Sequence, residues 1–367
     1  MRYAVGIDMG GTNIAAGIVD TDGQIVGRGS VRTQQSGSPE ALCAQLAQAT
    51  QLALKNAECD SEAVCGIGVG CPAPVDPEAG RLRFCTNLPQ LSAYPICETL
   101  QSLTGLPVYL GNDADAAAWG EYKAGALRGY PNSLTITLGT GVGSGVLLDG
   151  QLFHGSGGAG AELGHMVIER NGRPCSCGRR GCWEAYASKR GLIETTRQVM
   201  EAYPQSLMWE MSGGHIGGRL AFDAMRAGDP AGAAAVDAYI NDLACGLLNC
   251  INIFQPEAIC IGGGLSNEGD FLLGPLQKKN GRQHRRPLWP SAGSFVPGLA
   301  WQRCRDYWRG AAGSGGNRAA CPLKAAARPM QRFQLCSLPN VHRFRWAAAL
   351  PVDFPLCQAF CKFIVIF

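Results

Sequence analysis

No apolar run in the 367 residues is long enough to cross a bilayer, which excludes a helical membrane protein. There is also no basic segment followed by an apolar one: Met1 leads straight into the strand-like Tyr3-Ala4-Val5-Gly6-Ile7, so no secretory leader is expected. That early strand likewise leaves no room ahead of it for a helix-turn-helix. Glutamate is missing from residues 281–367, which carry 13 Lys and Arg against 2 Asp, whereas residues 1–280 carry 19 Lys and Arg against 27 Asp and Glu. The net charge of +3 hides this split. A basic tail could bind nucleic acid or an acidic surface, but a duller cause is argued below. What the chain has in quantity is cysteine. Seventeen of them, several inside apolar strand-like runs (Cys65, Cys71, Cys260), fit a reducing compartment where thiols are core residues or metal ligands, and cytoplasmic placement is expected. The length allows two or more domains of about 100–200 residues each.

The densest chemistry lies between Gly155 and Ser188. Cys175, Cys177 and Cys182 stand in a C-x-C-x4-C pattern inside a turn rich in Gly and Arg, with His165 ten residues upstream. Three thiolates and an imidazole complete a tetrahedral set for Zn²⁺. With no position left for water, the site is expected to be structural, pinning the loop of Glu162 and His165 against the turn of Glu184. Unrelated core cysteines would need no histidine nearby, and here the flanks are glycine turns rather than apolar periodicity.

Two other stretches repeat one design. Tyr3 to Gly27 reads as strand, glycine turn and strand, with a further turn at Asp22-Gly23; Gly10, Gly11, Thr12 and Asn13 offer backbone N–H groups with little obstruction, and Asp8 is placed to hold a hydrated Mg²⁺. Leu134 to Gly150 does the same around Gly139, Thr140 and Gly141. One copy alone reads as an ordinary hairpin. Two copies suggest a duplicated architecture in which both turns face one cleft and hold phosphates between them.

The connecting stretches read as scaffold. Glu40 to Ala57 is a helix with Leu42, Leu46, Ala49 and Leu52 on one face, covering the sheet. Val64 to Val69 is a short strand leading to the loop Thr86-Asn87-Leu88-Pro89, where the Asn87 amide suits either hydroxyl binding or plain turn chemistry. Val108 to Leu110 delivers Asn112, Asp113 and Asp115 just before a helix spanning Ala116 to Tyr122. A carboxylate at such a strand end can take a proton from a substrate hydroxyl, and the competing role is a helix cap. Asp113 is assigned to catalysis and Asp115 to capping. Leu192 to Tyr203 and Ala231 to Ile253 are helical, and the strand Ala258 to Ile261 meets the glycine corner Gly262, Gly263 and Gly264, where backbone could approach a flat ligand such as a nucleotide.

Together IDMGGTN, GIGVGCPAPVD, TNLP, GNDADAAAWGE, TLGTGVGSG, AGAELGHM, CSCGRRGCWEAYAS and NIFQPEAICIGGGLS resemble the ROK family of sugar kinases and repressors, and within it the bacterial glucokinases. The resemblance runs in the family's order from Met1 to about Lys279. It implies an α/β fold of the two-lobed actin-like (ribonuclease-H-like) ATPase type with a structural zinc site, and ATP-dependent phosphorylation of a hexose at its 6-hydroxyl. By position it makes Asp113 the general base and Asn87, Asn112, Glu162 and Glu184 the sugar binders; His165 serves sugar and zinc through its two nitrogens. Asp8, Gly10, Gly11 and Thr12 match the phosphate and Mg²⁺ site, Gly139 to Gly141 the second phosphate turn, and Gly262 to Gly264 the adenosine side. The expected division is residues 1–117 as the first lobe, 118–280 as the second with the zinc site, and 281–367 as an aberrant tail. Hexose and ATP are the expected partners, with no nucleic acid and no membrane; a homodimer is common in the family.

Past Lys279 the quoted motifs stop. The family would continue with a segment of the type GNDAGIIGAALL. With codons chosen among those allowed for Trp301 to Ala312, reading one base later gives Gly-Asn-Asp-Ala-Gly-Ile-Ile-Gly-Ala-Ala-Leu-Leu. The two Trp codons force two of the glycines, and Cys304 allows only Ala or Val at its place. Lys278-Lys279-Asn280 can be encoded by a run of adenines, a natural place to lose or gain a base. A frameshift near Lys279 is therefore the expected origin of the basic tail. The alternatives are a relative acting on fructose, mannose or an N-acetylhexosamine, a repressor, which would need the helix-turn-helix that the early strand leaves no room for, and a sugar-binding protein impaired by its altered end.

Overall fold

The computed structural model describes residues 3–76, 78–83, 85, 88–156, 158–283 and 294–297. Asn87 and residues 284–293 and 298–367 lie outside the described residues, and with them the hydroxyl-binding reading of Asn87 and most of the tail.

The first glycine turn joins β1 (Tyr3–Met9) to β2 (Asn13–Val19), and the turn at Asp22-Gly23 leads into β3 (Ile25–Arg32). β4 (Val64–Cys71) follows α1 (Pro39–Asn56); a small hairpin of β5 (Val75–Asp76) and β6 (Arg81–Leu82) then precedes α2 (Ile96–Thr104) and β7 (Val108–Asn112). The sheet order is β3-β2-β1-β4-β7, antiparallel from β3 to β1 and parallel from β1 to β7. After α3 (Asp113–Ala124) the pattern starts again with β8 (Ser133–Leu138), the second glycine turn, β9 (Val142–Leu148) and β10 (Gln151–Leu152). β11 (Ala258–Gly262) and β12 (Ser294–Pro297) complete the order β10-β9-β8-β11-β12 with the same sequence of antiparallel and parallel pairings. The repeat of strand, turn and strand therefore extends to two whole sheets.

Between β10 and β11 come α4 (Glu184–Ala187), α5 (Lys189–Ala202), α6 (Met208–Ser212), α7 (Leu220–Arg226) and α8 (Pro230–Phe254); α9 (Asp270–Gln283) follows β11. α1 starts where Ser38 accepts the Ala41 N–H at 3.3 Å and Pro39 occupies the first turn, a position that needs no backbone donor. Leu42, Leu46, Ala49 and Ala53 face the sheet. Leu52, expected on that face, is 37% exposed, because helical spacing gives the buried place to Ala53. Each fully buried Leu or Ile of such a face contributes about 1.5–3 kcal/mol. A second core under the other sheet centres on α8, with Tyr239, Leu243 and Leu247. Trp183 is wholly buried there and donates its indole N–H to Asp242 O at 3.1 Å.

α3 joins the two sheets, and the division expected at 117/118 falls inside it. Its early residues lie against β9 along a seam of Ala114, Ala118, Gly143 and Gly145. A Cβ on Gly145 would overlap that of Ala118, and one on Gly143 would come to 3.0 Å from Ala114 Cβ. Helix and sheet backbones meet here with almost no side chain between them.

Candidate active site

The first glycine turn is held from behind. Gly10 N–H donates to Asn13 O at 3.0 Å, the Thr33 hydroxyl donates to Gly10 O at 2.8 Å, and the Gln35 amide donates to Gly11 O at 2.5 Å. Asn13 spends its side chain on the sheet, accepting from the Ser30 hydroxyl at 3.0 Å. Asp8 sits just before the turn, and burial pushes its carboxyl up to about 6.

β7 delivers Asn112 and Asp113. Asn112 Oδ1 accepts the N–H groups of Ala114 at 2.9 Å and Asp115 at 3.1 Å, so Asn112 is the cap of α3. The expected cap, Asp115, lies inside the first turn and accepts from His154 Nδ1 at 3.0 Å instead. That contact raises the His154 pKa. A helix has one Ncap, and Asn and Asp serve it almost equally well, so residue type alone could not separate them. Asp113 opens the helix, and its Oδ1 accepts the Ala114 N–H at 2.8 Å. Its side chain faces open cleft water, yet protein closes in around it. Burial and then the negative charge of Asp8 push its carboxyl up to about 7, opposed by the Ala114 N–H. Cleft water tempers that rise.

The loop carrying Glu162 is fastened to β9. Ser144 donates to Ala161 O at 2.5 Å and accepts the Leu163 N–H at 3.0 Å, bracketing Glu162. Burial raises the Glu162 carboxyl, and neighbouring His165 opposes this. Sequence reasoning missed Ser144. It lies in a glycine-rich strand, and its role depends on a loop seventeen residues away.

The four expected metal ligands converge. One donor atom from each of His165, Cys175, Cys177 and Cys182 lies within 4.8 Å of all the others, with Cys175 Sγ 3.7 Å from His165 Nδ1 and Cys177 Sγ 3.7 Å from Cys182 Sγ. A tetrahedral ion with Zn–S bonds of about 2.3 Å sets S···S edges at about 3.8 Å, so the cluster fits such an ion. Arg179 closes the turn on the histidine by donating to His165 O at 3.3 Å. Glu184 then joins the cluster to the second glycine turn: Oε1 accepts the Ser176 hydroxyl at 3.0 Å and Oε2 accepts the Val142 N–H at 3.1 Å. That turn is closed by Gly139 N–H donating to Gly141 O at 3.0 Å and is tied to α5 by Lys189 N–H donating to Gly139 O at 2.9 Å.

One cavity of 770 Å³ gathers these pieces. Asp8, Gly11, Asn112 and Asp113 line it from the first sheet. From the other side come Gly139 to Gly141, Glu162, His165, Glu184 and Gly262 to Gly264. Cys177 is the one cysteine ligand on its wall. Gly10, Asn13, Cys175 and Cys182 do not line it, and Thr12 borders a neighbouring cavity of 440 Å³.

These features define a duplicated α/β protein whose two glycine turns face a carboxylate-lined cleft. The ROK family model matches residues 4–297, and the chain belongs to the ROK family. It is 38% identical over 277 residues to the glucokinase of Thermotoga maritima, covering 75% of this chain and 86% of that one. A crystal structure of a ROK family glucokinase from Streptomyces griseus, in complex with glucose and AMPPNP, superposes with a TM-score of 0.71 at 33% identity, covering 81% of this chain and 94% of that one. An N-acetylmannosamine kinase of Escherichia fergusonii is 39% identical over 189 residues, covering 51% of this chain and 61% of its own length.

Proposed function

We propose that this chain is an ATP-dependent hexose kinase that phosphorylates the 6-hydroxyl, with glucose as the preferred acceptor. The observation that supports the reading is one cavity lined by Asp113, by residues of both glycine turns and by Glu162 and Glu184. The glucokinase relatives support the same choice. An N-acetylhexosamine acceptor is the second reading, supported by the Escherichia fergusonii relative.

In this reading a hexose lies against Glu162, His165, Glu184 and the free amide of Asn112, whose carbonyl oxygen is already committed to the helix. Asp113 takes the proton of the 6-hydroxyl as that oxygen attacks the γ-phosphorus, and the bond from the γ-phosphorus to the β-phosphate oxygen breaks, its electron pair leaving on ADP. The backbone donors of Gly11, Thr140 and Gly141 hold the phosphates, on a turn that Gly139 closes, and Gly262 to Gly264 lie along the adenosine. Asp8, on the cavity wall beside the first glycine turn, is a carboxylate donor that fits Mg²⁺ and would hold it. Bound Mg²⁺ supplies charge neutralisation on the phosphates. The lobes are residues 1–117 and 118–280, with α3 as the shared element, and the thiol-rich composition suits the cytoplasm. His165, Cys175, Cys177 and Cys182 hold a structural Zn²⁺ that fixes His165 and, through Ser176, Glu184.

A coupled ADP-release assay with MgATP and a panel of hexoses and N-acetylhexosamines tests this, run on the chain as it stands and on a version with the frame restored after Lys279. Glucose-dependent ADP release in either form supports the reading. Release only with an N-acetylhexosamine moves the assignment to the second reading, and sugar binding without release in both forms sinks the kinase.

A further inference from the structure

The glycine corner Gly262 to Gly264 runs directly into a 3₁₀ turn, Gly264–Glu268. The turn ends on a buried charge. The Glu268 side chain is 3% exposed; one oxygen accepts from Arg226 Nη2 at the end of α7, and the other lies 3.6 Å from Arg219 Nε. Arg226 also donates to Asp223 Oδ1 at 2.8 Å, and its guanidinium lies over the Phe271 ring, 4.7 Å from the centroid, at the start of α9. One carboxylate and one guanidinium thus tie α7, the 3₁₀ turn and α9 together.

Movement at Glu268 passes to the cavity wall through short links. The Ser266 hydroxyl donates to Gly263 O at 2.7 Å, and the Asn267 amide donates to Gly264 O at 2.9 Å. Gly263 has φ +82, open to glycine at little cost, and presses on the end of β8, where a Cβ would stand 2.5 Å from Leu138 O. Leu138 precedes Gly139. Neither Glu268 nor Arg226 lines the cavity itself.

We propose that the Glu268–Arg226 pair is a positioning element for the nucleotide: it sets the height of the Gly262 to Gly264 corner. This rests on the nucleotide half of the reading above. The pair tunes nucleotide affinity and leaves the sugar side alone, because the Glu162 loop and the metal turn are fastened elsewhere, to β9 and to each other.

The test is calorimetric titration of the full chain with AMPPNP and, separately, with glucose, in the wild type, Glu268→Gln, Arg226→Lys and the double variant Glu268→Gln/Arg226→Gln. Lysine keeps the charge but loses the planar fork. Each single variant is expected to weaken AMPPNP binding about tenfold, the scale of a small misplacement of binding groups. Glucose affinity stays at the wild-type value and shows that the variant is folded. Arg226 is partly exposed and keeps Asp223 when Glu268 is neutralised, so the double variant is expected to melt close to Glu268→Gln while its AMPPNP binding stays weak. Wild-type AMPPNP affinity in the single variants, a parallel fall for glucose, or AMPPNP affinity that recovers in the double variant each overturns the proposal alone. A wild type that binds glucose and no AMPPNP overturns the nucleotide reading and this proposal with it.

Discussion

As the proposed base, Asp113 must be ionised to take a proton, and its surroundings push its carboxyl up to about 7 from the usual 3.8. Burial is the larger cause and the charge of Asp8 the next. The kcat/KM for hexose at saturating MgATP is therefore expected to climb with pH along a single-proton limb displaced above the usual carboxylate range, towards 7. At one pH unit below the midpoint the base is about one-tenth ionised, so the rate falls about tenfold per unit further down. Initial rates at limiting hexose, from about pH 5 to pH 9, give the limb directly. Asp113→Asn removes the base and abolishes it. Stability gives a second readout with a defined sign. The folded protein keeps on Asp113 a proton that the unfolded chain has already lost, so this group's contribution is present below about 4 and disappears as pH rises through about 7. Asp113→Asn should thus raise the melting temperature at pH 8 and leave it unchanged at pH 4. A kcat/KM profile that stays flat down to pH 5, with activity that still depends on Asp113, would refute the reasoning, since burial and Asp8 could not then be acting as described.

Other perturbations separate the parts of the site. Metal analysis of the purified chain should find one Zn²⁺ per molecule, and Cys177→Ser/Cys182→Ser should lose it; a full zinc complement in that double variant would exclude the His165–Cys182 cluster. Ser144→Ala removes both contacts that bracket Glu162, so the hexose KM should rise about tenfold with the nucleotide KM unchanged, the scale expected for a loosened positioning contact; an unchanged hexose KM would deny the loop its anchor. Gly145→Ala forces a methyl into the α3–β9 seam and should cost about 1–3 kcal/mol in denaturant unfolding; unaltered stability would mean that the seam is looser than the structure has it. Resequencing the gene across the adenine run at Lys278-Lys279 should reveal a shifted frame, and an unbroken frame with these tail codons would remove the frameshift explanation.

The duplicated sheets were legible because each copy carries its own local signal, an apolar strand broken by a Gly-rich turn. The convergence of His165 with the three cysteines was legible for a similar reason: Cys175, Cys177 and Cys182 fall within eight residues and bring their turn glycines with them. Other features were hidden by distance or by chemical likeness. Asn112 and Asp115 are both good caps, and only the position of the first helical turn decides between them. Leu52 looked buried by spacing, yet Ala53 is the residue that faces the sheet. α2 at nine residues, α6 at five and α7 at seven are too short for a helical period to stand out, and the short β5–β6 hairpin gives a pattern of two residues per strand. Ser144, Ser176 and the Glu268–Arg226 pair act across long stretches of chain, and nothing in their immediate neighbours marks them. The family match ends at residue 297, beyond Lys279 where the quoted motifs stop, and takes in β12, which lies parallel to β11.

The α3–β9 seam limits how this molecule can drift over generations. Ala114, Ala118, Gly143 and Gly145 are already among the smallest side chains available, so nearly every single-codon change there adds atoms where none fit. The compensating exchange for a larger residue at Gly145 is Ala118→Gly, and that places a glycine inside a helix at about 1 kcal/mol. On the proposed reading, changes in the Glu162 loop would retune the acceptor and changes in the glycine corner the donor, in independent steps. The angle at which the helix delivers Asp113 to both is inherited almost unchanged.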